Sequence, residues 1–520
     1  MSSAGSWDPV RIVLGFVVVG FVIGSHGLES VKPPLLDQAN FELVARELDQ
    51  GRVLYRDLFD VKPPLIYKTY QLIRNVFGDS HAAVVWVDAW LVLLTMFFMD
   101  RALRNSVPPR ARAYGCLIWS IIIVMPQFGG DLALLQPETL VNLFIAGSLW
   151  VGFEPRSSEP EDRAPEPSRG REIGLGILVA LAAFAKFVPA GMVLLSSLVQ
   201  GGRGRWRFRL VTGLGVTVLA MGIWIFSCSL SGSLEALRGA VAYTSHRVSD
   251  ASLIQKVNPM VYVKDLFIPS ALAGFMVLQA GGSCVGRSLL VWFVTAALFV
   301  MMQGRFASYH FICVIPPLAL LAGWGLHRWA NSEFAPLSLA GPALAIVLLL
   351  AIAMDAQIGI NTAAAEFAIG RLSREKMENN VLVTWWYSAS DVRHLARLVK
   401  ERTSPQDSVF VFGIVPQLYL FADRPFFSRY IFHYFLLAQC PLTEGYPGLD
   451  VRQRAFLEEF DSCPPAVVVL PESQSVGPGL YENAKEIRTF PKLIDRLDRD
   501  YRGERVGSVT LFFRRGPSSP

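Results

Sequence analysis

The stretch from Asp37 to Leu65 interleaves carboxylates (Asp37, Asp57, Asp60) with cations (Arg56, Lys62) and ends in Lys62-Pro63-Pro64-Leu65, with apolar segments closing it on both sides. Charges of both signs in a polar loop beside a bilayer are placed better for chemistry than for packing. A carboxylate there can accept the proton of an incoming hydroxyl, and a lysine or arginine can hold the charge of an anionic leaving group. Asp37 follows Pro33-Pro34-Leu35-Leu36 and precedes a helical pattern over 40–48, so a helix N-cap would account for it alone. A cap does not account for Asp57, Asp60 and Lys62 some twenty residues later.

Other candidates are scattered along the chain. Asp131 sits in a short polar turn before Pro137-Glu138, and Glu138 at a helix start suits the helix dipole. Lys186 interrupts an apolar run, where an ammonium is costly without a partner. Arg305 and His310 share a late polar segment. Lys68 ranks behind Lys62, because long cations also snorkel to headgroups, and His26 reads as interfacial.

The elements that must position these residues are mostly apolar helices. Of 520 residues, 52% are hydrophobic and only 18% charged, with mean hydropathy +0.38. Soluble proteins carry about 25% charged residues, so the balance implies a polytopic α-helical membrane protein and speaks against an ordinary soluble enzyme. The net charge of +5 lies largely in short arginine-rich loops and reports topology; no nucleic-acid partner is expected. Apolar spans are expected at about 10–27, 81–100, 113–126, 135–153, 210–230, 266–280, 288–302, 310–327 and 338–356. The first reads as an uncleaved helix, since only Arg11 precedes its apolar run.

The run 173–199 is broken by Lys186 and Pro189. As two short helices meeting there, it keeps the arginines at 101–112, 156–171 and 203–209 on one side. The scheme then has about eleven helical segments in residues 1–356, a cytoplasmic N-terminus and a cytoplasmic linker at 154–171. The loop 28–80, Asp131, residues 231–265, residues 303–310 and everything after 357 face outward. Residues 357–520 read as a soluble extracytoplasmic α/β domain, with helices at 388–402, 451–460 and 487–501 and strands at 408–413, 466–470 and 505–513. No glycine-rich phosphate loop follows any of these strands, so this domain reads as a lid or acceptor-docking module. Trp385-Trp386-Tyr387 reads as an interface anchor. Cys440 and Cys463 lie in this domain, their pairing left open, and no zinc-ligand spacing is present.

The pattern Asp37, Ala45, Gly51, Tyr55-Arg56-Asp57, Lys62-Pro63-Pro64-Leu65, then Phe77-Gly78, resembles the first outer loop of GT-C glycosyltransferases. The nearest resemblance is to the bacterial branch related to protein O-mannosyltransferases and the lipid A aminoarabinose transferase. Residues 304–311 leading into Pro316-Pro317, and 405–413 with Pro416 and Tyr419, are similar to later segments of that family. The resemblance implies a GT-C fold in the inner (plasma) membrane and a polyprenyl-phosphate sugar donor. It implies inverting transfer to an acceptor hydroxyl of a protein, lipid or polysaccharide at the outer face. Asp37 would be the catalytic base. Asp131, Asp60 and Glu138 would position the acceptor, or a divalent metal where one is used. Lys62, Arg56, Arg305, His310 and Lys186 would bind the donor phosphate. Gln38 stands where a glutamate is more usual, which removes a neighbouring second carboxylate. The alternatives are a non-catalytic protein that keeps the fold and a transporter, the latter requiring polar residues at mid-bilayer and internal repeats.

Overall fold

The computed structural model describes residues 8–123, 134–152, 169–200, 206–249, 270, 284–303, 308–331, 343, 345–350, 358–383, 387–437, 447–471, 474–476, 479–481 and 487–515. The helical part comprises α1 (Pro9–Glu29), α2 (Leu36–Asp49), α3 (Pro64–Phe77), α4 (His81–Leu103), α5 (Pro109–Ile123), α6 (Pro137–Gly152), α7 (Arg169–Ala185), α8 (Phe187–Gln200), α9 (Trp206–Leu230), α10 (Leu234–Ser249), α11 (Cys284–Gln303) and α12 (Ile315–Ala330). Among the described residues, α1, α4 and α9 are long and apolar enough to cross a membrane, and Gly286–Met302 forms a shorter apolar helix. Three such helices fall short of the eleven segments expected from sequence. The expected span 113–126 is described only as far as Ile123, within α5. The 173–199 run is divided between two helices, and the expected spans at 266–280 and 338–356 lie largely outside the described residues.

The break in that run is present at Lys186, between α7 and α8. Pro189 stands in the first turn of α8, where its missing N–H removes no helical bond. Arginines gather at one end of the bundle. Arg110 pairs with Asp8 at 2.8 Å and Arg11 with Asp100 at 3.4 Å, joining the start of α1 to the α4–α5 connection. Arg209 pairs with Glu172 at 3.2 Å, and Arg171 donates to the Val151 carbonyl, joining α9 and α7 to the end of α6. The opposite end carries α2, α3 and the α/β region.

In that region β1 (Val409–Val411) runs parallel to β2 (Val467–Pro471), which pairs antiparallel with β6 (Val509–Arg514), itself antiparallel to β5 (Tyr501–Val506); β3 (Gln474–Val476) and β4 (Gly479–Tyr481) form a separate antiparallel pair. The helix Ala389–Glu401 starts at a Ser388/Asp391 capping box. The single closing strand expected over 505–513 is a hairpin instead. Gly507, at φ +59°, supplies the left-handed residue that turns it. Asp37 also departs from expectation: α2 begins at Leu36, so Leu35 holds the cap position and Asp37 lies in the first turn.

The tightest helix crossing is between α5 and α12. A Cβ on Gly323 would meet the Gly115 nitrogen at 2.2 Å and the Ala111 carbonyl oxygen at 2.7 Å, so backbone rests on backbone there. Gly323→Ala is therefore expected to lower stability by about 1–3 kcal/mol or more, the cost of overpacking a site that cannot relax. Gly215→Ala, on α9 with open space around it, should instead be neutral or stabilising. Thermal midpoints of the two purified variants in one detergent check the contrast.

Candidate active site

Pro33-Pro34 holds the chain extended before α2, which puts Asp37 in the first helical turn, next to free N–H groups that favour a negative charge. Pro63-Pro64 starts α3 in the same way, with Lys62 just ahead of it. The two meet: Lys62 Nζ lies 3.2 Å from Asp37 Oδ1 and 4.3 Å above the Phe41 ring. Phe41 is fixed edge-on by Tyr67 and Tyr70, at 5.8 and 5.2 Å between ring centres. Both charged side chains keep about one fifth of their surface exposed (20% for Asp37, 22% for Lys62), so a ligand can reach them. Burial works to lower the Lys62 pKa, but Asp37, with Tyr309 and Asp60 behind it, outweighs this and holds the ammonium above the ordinary lysine value. Asp60 is buried nearby, accepting from Asn40 at 2.7 Å.

Backbone strain lies on both sides of this pair. Tyr55 has φ +70°, uncommon for a bulky residue and worth roughly 1–3 kcal/mol of strain. Its amide donates to the Leu58 carbonyl at 2.9 Å, and its hydroxyl donates to the Lys62 carbonyl at 3.0 Å. Leu135, at φ +44°, is the second such residue. Its amide donates to Asp88 at 2.9 Å and its carbonyl accepts from Tyr70 at 3.4 Å, while Gln38 donates to the Leu134 carbonyl at 3.2 Å. Asp88 in turn pairs with His26 at 3.1 Å, inside the packing of α1 against α4.

That turn leads into α6, whose Glu138 is wholly buried and pairs with Lys186 at the α7–α8 break. Lys186 also lies 5.3 Å from the Phe299 ring centre and 5.7 Å from that of Tyr309. Tyr309 therefore neighbours the Glu138–Lys186 pair.

The structure brings together Asp37, Lys62 and Asp60, and beside them Glu138 and Lys186; His310 is buried next to Tyr309, with ring centres 4.6 Å apart. It does not bring Arg56 to this cluster. Arg56 forks onto Asp57 at 2.8 and 2.7 Å and donates to the Ser231 carbonyl at 3.0 Å, tying the loop to the α9–α10 turn. Lys68 is bonded to Gln71 at 2.8 Å. Asp131, Arg305, Trp385, Trp386 and Cys440 lie outside the described residues. Among the described residues, no three carboxylate, imidazole or thiol groups converge as a metal site would require.

His26 is buried against Asp88, not interfacial. Asp88 itself escaped the sequence reading, although a carboxylate within an apolar span signals a function or a partner. Gln417, which reaches this loop from the α/β region, carries no such signal.

No protein-family model matches the chain and no curated protein matches it, but solved structures do. ArnT from Cupriavidus metallidurans, bound to undecaprenyl phosphate, superposes with a TM-score of 0.60 over 96% of this chain and 97% of that one, at 14% identity. Apo ArnT gives 0.54 over the same shares at 15% identity. The archaeal oligosaccharyltransferase AglB from Archaeoglobus fulgidus, in complex with an inhibitory peptide and a dolichol-phosphate, gives 0.53 at 12% identity, covering 98% of this chain and 75% of that one. The chain shares the fold of ArnT and AglB. Three of its described helices are long and apolar enough to cross a membrane.

The Glu138–Lys186 pair gives a direct test of this packing. Lys186→Met strands a fully buried carboxylate and is expected to cost about 3–5 kcal/mol. Glu138→Gln should cost less, because Lys186 keeps one fifth of its surface exposed. The double variant Glu138→Gln/Lys186→Met should regain most of the loss. Thermal unfolding of the three variants in detergent reads the ranking.

Proposed function

We propose that this GT-C protein is an inverting glycosyltransferase that moves a sugar from a polyprenyl-phosphate donor to an acceptor hydroxyl at the outer face of the plasma membrane. The observation that carries the reading is the Asp37–Lys62 pair, 3.2 Å apart and partly open, at the end of the bundle that bears the α/β region. Its weight is increased by the fold shared with an ArnT bound to undecaprenyl phosphate. In the matching topology the N-terminus and arginine-rich connections are cytoplasmic, residues 1–356 form a catalytic membrane domain of about eleven segments, and residues 357–520 are extracytoplasmic.

The chemistry follows from the charges. A sugar on a polyprenyl phosphate leaves as an anion, so the reaction needs a cation at the phosphate more than a general acid. Lys62 supplies that cation, with Lys186, His310 and Arg305 as further phosphate-side groups and Arg56 positioned to hold the loop. The phosphate draws the Lys62 ammonium away from Asp37. The freed carboxylate accepts the acceptor's hydroxyl proton as the new bond forms from that oxygen to the anomeric carbon. The bond from the anomeric carbon to the phosphate oxygen breaks on the opposite face, and its electron pair leaves with the polyprenyl phosphate. Asp60 and Glu138, with Asp131, serve the acceptor side. A transporter would need its charges at mid-bilayer; Asp88–His26 and Glu138–Lys186 instead cluster around the same turn as the candidate site.

Asp37→Asn should abolish sugar transfer while leaving donor affinity within about threefold, the signature of a group acting in the transition state. Lys62→Ala should weaken donor binding by roughly tenfold or more, the loss of one charge-assisted contact. Donor consumption and donor titration with purified protein in lipid separate the two; equal loss of binding in both would undo the division of roles.

The raised pKa of Lys62 fixes a sign. A folded value above the unfolded one means the charged pair contributes fully below lysine's ordinary pKa of about 10.4 and is lost only as pH rises through the higher folded value. Donor affinity should therefore show no alkaline loss up to about pH 10. A titration of binding against pH checks it.

A further inference from the structure

The α/β region grips the loop at two points, each three residues ahead of one member of the candidate pair. At the first, Gln417 in the helix Pro416–Ala422 donates to the Pro34 carbonyl at 3.3 Å, and Asp37 follows three residues later. At the second, the Phe59 amide donates to the Arg429 carbonyl at 2.8 Å, and Lys62 follows three residues later. Gln417 is wholly buried and its amide also faces the Val383 carbonyl at 3.4 Å, so the grip is anchored on both sides. Phe59 forms a parallel bridge with Tyr430 and meets the Phe435 ring edge-on at 4.8 Å; Phe435 in turn packs on Tyr243 of α10. Between the two points, Arg52 donates to the Phe426 carbonyl at 2.6 Å and Arg46 to the Arg424 carbonyl at 3.3 Å.

We infer that the α/β region is a positioning clamp for the candidate active site, with Gln417 setting Asp37 and the Phe59–Phe435 contact setting Lys62. This rests on the glycosyltransferase reading for its catalytic meaning, though not for the grip itself. The physical reason is leverage. Asp37 stands in the first turn of α2 and Lys62 immediately before the Pro63-Pro64 that starts α3, and neither helix start has a side-chain cap hydrogen bond. Their register therefore depends on what holds the extended residues before them. Only two residues separate each grip from its charged residue, Leu35-Leu36 before Asp37 and Asp60-Val61 before Lys62, so a displacement at Pro34 or Phe59 has little chain in which to be absorbed. Gln417 and Phe435 touch no reacting atom on this view; they are positioning residues.

The two grips predict different kinetic signatures. Gln417→Met keeps the volume and removes the donor. It should lower kcat about tenfold with donor KM within about threefold, because a misplaced base is felt in the transition state. Phe435→Leu should raise donor KM about tenfold with kcat within about threefold, because the cation for the donor phosphate is displaced. Hydrogen exchange of the full-length protein in lipid gives a readout that needs no activity. Faster exchange of the amides at 36–40 in Gln417→Met, and at 60–62 in Phe435→Leu, is expected at an unchanged thermal midpoint.

Parallel loss of kcat and KM in both variants, with lowered midpoints, would overturn the clamp in favour of plain structural support. Wild-type kinetics despite faster exchange would overturn the positioning role. Wild-type protein that consumes no polyprenyl-phosphate sugar would overturn the functional reading alone. The clamp is then decided by exchange: local acceleration at those two sites upholds it, and unchanged exchange defeats it.

Discussion

A charge placed inside an apolar bundle must be paired, since an unpartnered one costs several kcal/mol; in this protein that requirement decides where helices start, break and meet. Glu138 and Lys186 tie the start of α6 to the α7–α8 break. Asp88 and His26 join α4 to α1 and, through the Leu135 amide, fix the turn that delivers Glu138. Glu172 and Arg209 close the other end, joining α7 to α9. Each pair lies between helices, so none can be satisfied until those helices have docked. The pairs therefore specify which helices are neighbours, while apolar contact and close glycine crossings such as Gly115–Gly323 supply the packing.

The repeated pentapeptide, Val31–Leu35 and Val61–Leu65, shows how the loop is built on top of that frame. The first copy precedes α2, which opens at Leu36, and the second runs into α3, which opens at its own Pro64. Each lysine is anchored, but differently. Lys32 is buried between Glu29, at 2.6 Å, and Asn361, at 3.0 Å, and so ties the end of α1 to the helix Ile358–Ala368. Lys62 faces Asp37 and remains partly open. One motif thus serves as a hinge pin in its first copy and presents the candidate cation in its second. The left-handed Tyr55 belongs to the same design, since its hydroxyl holds the Lys62 carbonyl from within the loop.

Sequence reasoning reached the features that local chemistry controls. The broken run at Lys186 was legible because an ammonium and a proline inside an apolar stretch leave few structural options, and the loop 28–80 stood out by its charge pattern. The helices and strands of the α/β region follow hydrophobic period and capping, as at Ser388 and Asp391. What could not be read depends on tertiary partners. A cap at Asp37 would start α2 at Gln38, yet α2 opens two residues earlier, at Leu36, because Pro33-Pro34 already presets its start. Arg56 and Lys62 looked equivalent as cations; only the fold turns Arg56 onto Asp57 and the Ser231 carbonyl and leaves Lys62 with Asp37.

The difference between the Asp37–Lys62 and Glu138–Lys186 pairs follows from solvent. An exposed pair contributes about 0–1 kcal/mol, because water competes for both partners, whereas separating a buried pair costs several. Glu138 has no exposed surface, so Lys186 can leave it only at the full cost of a stranded carboxylate. Asp37 and Lys62 each keep about a fifth of their surface open, and a cation held over Phe41 retains part of its stabilisation when the carboxylate partner changes. Exchange of Asp37 for an incoming anion is therefore the cheaper of the two openings. Of the two pairs, Glu138–Lys186 is the costlier to open, and the exposed part of Lys186 meets a ligand with the pair intact. The other combines ready exchange, a carboxylate at a helix start and a cation at its mouth, which is the combination that phosphate-driven release of a base requires.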